Sequence, residues 1–338
     1  MTTKEGWHRF IEHEPVPPRL LSAGERAALT DRQQALEDDR RREYHADLPM
    51  VNTPTIRRVT STARLLIQLN RNQISARRGL ILSGTSGTGK TTALSQLGRA
   101  HELAVRRRHP RDRHRLPVLY ATVPPAATPK MLAMEFARFF GLSFPTRANI
   151  TDIVDAVCAT AAHVRVELVL LDELHNLNLA TRAGAEASDQ LKYFAERLPA
   201  TFAYAGIDIE AKGLFAGTRG RQLAGRFVVI PATSFSYAPG EDRDAWRALV
   251  ETLESMLRLH NHKPGTLVEL SEALFHRTGG MIGSLSQLIR GAAVLAIEDG
   301  SERITGDLLS VVPIDYAAEQ SQQANTSSSP RTRRRRAA

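Results

Sequence analysis

The chain has 338 residues, 42% hydrophobic and 24% charged, enough apolar material for two packed domains or one large one with additions. No run approaches the roughly 18 uninterrupted apolar residues of a membrane span. The first twenty residues carry Lys4, Glu5, Arg9, Glu12 and Glu14 and no apolar core, so neither a secretory signal nor a membrane partner is expected. Cys158 is the only cysteine, which excludes an intramolecular disulfide and a cysteine-cluster metal site and favours a cytoplasmic setting. Lys and Arg number 45 against 36 Asp and Glu, a net +9, and the excess is uneven. Arg106, Arg107, Arg108, Arg111, Arg113 and Arg115 lie within ten positions, and Arg331 with Arg333 to Arg336 crowd the C-terminal end. Such clusters suit a polyanion, nucleic acid first, or else form a solvated basic face.

Pro15, Pro17 and Pro18 make residues 1–20 read as irregular. Ser22 with Glu25 reads as a capping box opening a charged helix to about Tyr44. Ile56, Val59, Ala63, Leu66, Ile67 and Ile74 recur at helical spacing. Short apolar runs then alternate with helical segments. The runs are Gly79–Ser83, Val118–Val123, Glu167–Leu171, Thr201–Ala205 and Arg226–Ile230. The helical segments begin at Lys90, Lys130, Ile150 and Ala187. Fully apolar strands alternating with helices predict an α/β parallel sheet covered on both faces. Beyond Pro239 the segments Asp242–His260, Leu267–Arg277 and Met281–Glu298 read as a small all-helical domain. From about Gln320 the chain is low-complexity and too polar to fold.

Residues Gly84, Thr85, Ser86, Gly87, Thr88, Gly89, Lys90 and Thr91 complete G-x-x-x-x-G-K-[ST] between a strand and a helix, with Thr92 following. The glycines turn backbone N–H groups inward around a β-phosphate, and the helix N-terminus adds partial positive charge. Lys90 is expected to reach the β- and γ-phosphates of ATP, and Thr91 to ligate Mg²⁺. The run Leu168–Glu173 (LVLLDE) delivers Asp172 to the sheet edge as a second Mg²⁺ holder. Glu173 follows as the base that orients the attacking water.

With GTSGTGKT, LVLLDE and a separate helical block, the chain resembles the AAA+ ATPases. Within them it resembles the TniB/TnsC-like transposition regulators, relatives of the IstB-type transposon ATPases and, further off, of origin-recognition initiators. The carriers are Tyr-x-x-x-Leu-Pro at 44–49, LDELHNL, RQLAGRF at 221–227, and TGGMIGSLSQLIRGAA at 278–293. The resemblance implies a P-loop AAA+ sheet domain followed by a helical lid. It also implies ATP-dependent self-association as a ring, spiral or filament on duplex DNA, with slow, regulatory ATP hydrolysis. The implied partners are a DDE-type transposase and a target-selecting adaptor. A helicase loader or initiator, or a nucleotide-gated scaffold with little hydrolysis, is the alternative.

Carried over by position, Arg226, with Arg221 or Arg219 as substitutes, is the arginine that a neighbouring subunit offers to the γ-phosphate. The resemblance fails at two places. Ile207 stands where a polar water-positioning residue is usual, leaving Asp208 or Tyr204, and Gly283 stands where a second sensor arginine is common. DNA contacts, mostly to phosphates, are expected from Thr128 and Lys130 at a helix start, from the Arg106–Arg115 cluster, and from His175, Asn176 and Arg182. The expected layout is an N-terminal arm at 1–55, the nucleotide-binding domain at 56–238, the lid at 239–318 and an Arg-rich tail at 319–338.

Overall fold

The computed structural model describes residues 1–177, 181–209 and 225–314. They form two compact units, one of residues 1–13 and 52–233, the other of 14–51 with 234–314. The N-terminal arm is therefore shared between the two units.

In the first unit five strands form one parallel sheet in the order β2-β3-β4-β1-β5. They are β1 (Gly79–Ser83), β2 (Val118–Thr122), β3 (Leu168–Asp172), β4 (Thr201–Gly206) and β5 (Phe227–Pro231). The strands β1, β3 and β4 are buried along their whole length, as their unbroken apolar runs require. Helices α4 (Pro54–Asn70) and α5 (Lys90–Arg108) pack on each other and on the sheet. A second group comprises α6 (Pro129–Phe140), α7 (Ile150–His163) and α8 (Arg182–Arg197), where Phe136 meets Phe194 at 4.6 Å between ring centroids. Thr53 and Thr128 open α4 and α6 as side-chain caps with proline at the next position, the arrangement in which proline costs no hydrogen bond.

Two N-terminal expectations change. Residues 1–20 are not wholly irregular: α1 (Lys4–Glu12) buries Trp7 and Ile11, one turn apart, in the core of this unit. The Trp7 indole donates to Glu102 Oε2 at 3.1 Å and stacks 5.9 Å from Tyr120. The helix expected from Ser22 to Tyr44 is two helices, α2 (Ala23–Ala27) and α3 (Asp31–Ala46). Each has its own capping box, Ser22 with Glu25 and Thr30 with Gln33, and the second cap restarts the helix.

The second unit is all-helical: α2 and α3 with α9 (Glu241–Ser255), α10 (Thr266–Glu269), α11 (Ser271–Thr278), α12 (Ile282–Glu298) and α13 (Gly306–Val311). The stretch from Leu267 is two helices rather than one, turning at Leu270. Its core gathers Trp246, Leu285, Leu288, Ile289 and Ala292. Helix α3 packs on α12, and its fully buried Arg41 bonds both carboxylate oxygens of Glu302, in the segment between α12 and α13, at 2.6 and 2.7 Å. Arg26 reaches the same carboxylate at 2.8 Å. Among the described residues no single helix is long and apolar enough to cross a membrane.

Candidate nucleotide site

The P-loop follows β1 at the carboxyl edge of the sheet. A Cβ at Gly84 would stand 1.9 Å from the Ala232 carbonyl oxygen, so only glycine lets the chain leave β1 beside the end of β5. Gly87 and Gly89 take positive φ of 77° and 82°, which turns the loop into the N-terminus of α5. The Thr88 hydroxyl donates to the Thr85 carbonyl at 2.9 Å, and Lys90 Nζ donates to that same oxygen at 2.5 Å. The lysine is folded back on the loop it serves, and a phosphate oxygen would compete for this ammonium. Thr91 is exposed at the helix start and Thr92 half-buried behind it. Burial pushes the Lys90 ammonium below its ordinary value, opposed by the carboxylates of Asp172, Glu173 and Asp208, which all act on it.

Asp172 ends β3 and is buried. Its Oδ2 accepts from the Tyr120 hydroxyl at 3.2 Å, and its Oδ1 accepts from the Glu173 amide at 2.8 Å. Burial and the neighbouring Asp172 carboxylate both raise the Tyr120 phenol, which stays protonated as a donor. Glu173 sits at φ 58°, a left-handed conformation that costs a non-glycine residue about 1–2 kcal/mol. The short bond from its amide to Asp172 offsets part of that cost. Such backbone outliers concentrate at working sites.

Sequence reasoning missed the partner of Glu173. His175 Nε2 lies 3.1 Å from Glu173 Oε2, and His175 Nδ1 accepts from the Ile207 amide at 3.3 Å. An accepting Nδ1 leaves the neutral ring's proton on Nε2, so the imidazole donates to the carboxylate and ties it to the segment after β4. The signal was present as the histidine two places after the glutamate in DELHN. Of the two candidates for the missing water-positioning group, Tyr204 is buried in the core, stacked 4.9 Å from Phe227. Asp208 is half-exposed and acts on Lys90, and the next amide, of Ile209, donates to Ser83 Oγ at 3.0 Å.

Arg226 lies at the opposite edge of the sheet, because Phe227 pairs with Gly79 and Pro231 with Ser83. Six strand rises, roughly 20 Å, separate it from its own P-loop, so it cannot serve that loop in cis. Its guanidinium is 3.4 Å from Glu196. Arg221 and Arg219 lie outside the described residues, as does the Arg-rich tail. Gly283 occupies the first turn of α12.

The residues expected to meet DNA differ in their freedom. Thr128 Oγ1 is already the cap acceptor for the Met131 amide, and Lys130 Nζ donates to the Thr146 carbonyl at 2.8 Å. Arg106 is engaged by Glu102 at 3.0 Å, and Arg115 by Glu167 at 2.6 Å. Arg107, Arg108, Arg111 and Arg113 are exposed with no carboxylate partner among the described residues. His175 and Asn176 are used internally, Asn176 Nδ2 donating to the Val123 carbonyl at 2.8 Å, while Arg182 pairs with Glu186 on the surface.

Solved structures of the same fold include the ORC1 protein of Aeropyrum pernix in complex with DNA, with TM-score 0.58 and 17% identity, covering 82% of this chain and 67% of that one. The ORC2 protein of the same organism, in ADPNP–ADP complexes, gives TM-score 0.57 and 18% identity over 96% and 73% of the two chains. Its ADP form gives 0.58 and 19%, over 80% and 71%. With the strand order and the P-loop after β1, these likenesses make the fold that of an AAA+ ATPase. No curated protein sequence matches the chain. Residues 44–237 match the family model described as "Bacterial TniB protein", and the chain belongs to the TniB family.

Proposed function

We propose that this protein is an ATP-dependent, DNA-binding ATPase that assembles on duplex DNA and selects or regulates the target of a DDE-type transposase, with an adaptor directing it. The observation that carries the reading is the convergence of Lys90, Asp172, Glu173 and Asp208 at one edge of the sheet, in a chain of the TniB family. Lys90 exchanges the Thr85 carbonyl for the β- and γ-phosphates, and the glycine-rich backbone cradles the triphosphate. The Thr91 hydroxyl and the Asp172 carboxylate are the hard oxygen donors that Mg²⁺ prefers, and each Asp172 oxygen keeps a lone pair beyond its single hydrogen bond. Bound there, Mg²⁺ would neutralise phosphate charge. Glu173 takes the proton of the attacking water once its carboxylate leaves His175. Arg226, too far from its own loop, is placed to serve a neighbour's, which makes the triphosphate an adhesive between copies. A carboxylate already tied to a histidine suits slow, regulated turnover.

The test is phosphate release and particle size with ATP, with and without duplex. Duplex-stimulated turnover and ATP-dependent assembly are expected of the wild type. Lys90→Ala should lose both, and Glu173→Gln should assemble yet turn over at least a hundredfold more slowly. Equal slow release by wild type and Glu173→Gln would leave only a nucleotide-gated scaffold. A particle that stays single whatever nucleotide and duplex are supplied would end the assembly reading.

A further inference from the structure

Far from the P-loop along α5, the flank between α4 and α5 holds a cavity of about 690 Å³. That volume is in the range of ligand pockets. Five guanidinium groups line it: Arg64 and Arg71 from α4 and its C-cap, and Arg99, Arg107 and Arg108 from α5. None of the five has a carboxylate partner among the described residues. Arg99 and Arg108 spend one N–H each on backbone carbonyls, of Ile11 and Ala104. The one acid in the lining, Glu167, is already held by Arg115 at 2.6 Å and by His101 at 3.2 Å. Those contacts bring its carboxyl down to about 2 despite its burial, so its charge is spent elsewhere. Five like charges around one concavity repel one another and call for an anion.

The floor decides which anion. Between the two rows of arginine lie Ile67, Leu97 and Leu103, and the lining contains no Phe, Tyr or Trp; its one imidazole, His101, is mostly buried and held by Glu167 at 3.2 Å. Single-stranded nucleic acid is gripped by exposed aromatic stacking platforms, and the buried, carboxylate-bound His101 is not one; a duplex backbone has no apolar face to lay on such a floor. The spacing of the charges is helical: Arg64 to Arg71 is seven residues and Arg99 to Arg107 is eight, roughly 10 and 12 Å along their axes. Acidic residues one heptad apart on a partner helix repeat at the same interval. We infer that this groove is the docking site for an acidic, amphipathic helix of a partner protein, its leucine-type side chains on the floor and its carboxylates between the arginine rows. The inference is independent of the nucleotide site.

The probe is a fluorescein-labelled helical peptide of about 20 residues, with leucine at i and i+4 and glutamate at heptad spacing, added to the full-length protein without nucleotide. Binding by anisotropy should weaken as salt rises. The Arg64→Glu/Arg71→Glu variant should lose at least tenfold in affinity. Ala100→Trp, at an exposed lining position, should lose binding while keeping every charge. Both changes are on helix surfaces, and circular dichroism confirms the fold. Equal affinity of wild type and both variants would overturn the inference. So would equal binding of a scrambled peptide of the same composition, since charge alone would then suffice. Loss of duplex binding by Arg64→Glu/Arg71→Glu with peptide binding intact would also overturn it, making the groove a DNA surface.

Discussion

At Glu173 three local forces meet: a left-handed backbone, a bond from its own amide to Asp172, and a carboxylate held by the His175 imidazole. The carboxylate we propose as the base is occupied as an acceptor, and the same ring holds the Ile207 amide beyond β4. Removing the ring should free the base. His175→Ala is expected to raise basal phosphate release several-fold and to shrink the further stimulation by duplex, with little change in ATP affinity. A loss of turnover matching that of Glu173→Gln would instead make the imidazole part of the chemistry. The P-loop and the acidic pair were legible in the sequence because their spacing is dictated by phosphate geometry and strand length. The Glu173–His175 tie was not, since it depends on a backbone turn that periodicity does not record. Tyr204 and Asp208 were equal candidates until the pleat of β4 put the phenol among core rings.

At the scale of the element, the strands could be read within a residue or so, because a doubly covered strand must be apolar throughout. The short helices escaped. Helix α1 buries only two of its nine residues ahead of a proline-rich stretch, and α2 and α3 look continuous unless the second cap, Thr30 with Gln33, is weighed as a restart. What holds α3 is also testable. Burial, with Arg41 and Arg258 nearby, lowers the His45 imidazole to about 4. Its Nδ1 lies 2.7 Å from the Arg41 carbonyl and its Nε2 accepts the Arg258 amide at 3.0 Å, the pattern of a neutral ring. Below pH 6.5 the unfolded chain binds a proton that the folded one refuses, so stability should fall from pH 6.5 towards about 4, by order of 3 kcal/mol. Glu302 adds a lower limb. Burial would raise it, but Arg41, Arg26 and the His260 amide bring it to about 2, so its contribution, complete above pH 4.5, disappears as pH falls through 2. Thermal melts of His45→Asn should lose most of the upper limb, leaving the share of His260, which burial also lowers, and keep the lower one. An unchanged upper limb would place the titration elsewhere.

For the whole molecule, charge is the quantity that reaches beyond the chain. Of the six clustered arginines, Arg106 and Arg115 are tied to carboxylates, and Arg107 and Arg108 also line the groove between α4 and α5. Arg111 and Arg113 carry neither tie, and they are the two of the cluster we propose for duplex phosphates. The log–log salt slope of duplex affinity should drop by about 2 in Arg111→Gln/Arg113→Gln, one for each released phosphate contact, uniformly across DNA sequences. An unchanged slope would remove that loop from the DNA surface. The division of the arm between two units was invisible in the sequence, because composition marks a charged helix without saying where it docks. One consequence concerns synthesis. Arg41 and Glu302 are 261 positions apart, so a ribosome adding roughly 5–20 residues per second leaves α3 waiting about 13 to 50 s for its carboxylate. During that interval the nascent helical unit has its beginning and lacks its end, while the five strands of the sheet are made one after another; a chain cut short before residue 302 would leave that arginine only the carboxylates of its own helix, Glu37 and Asp38.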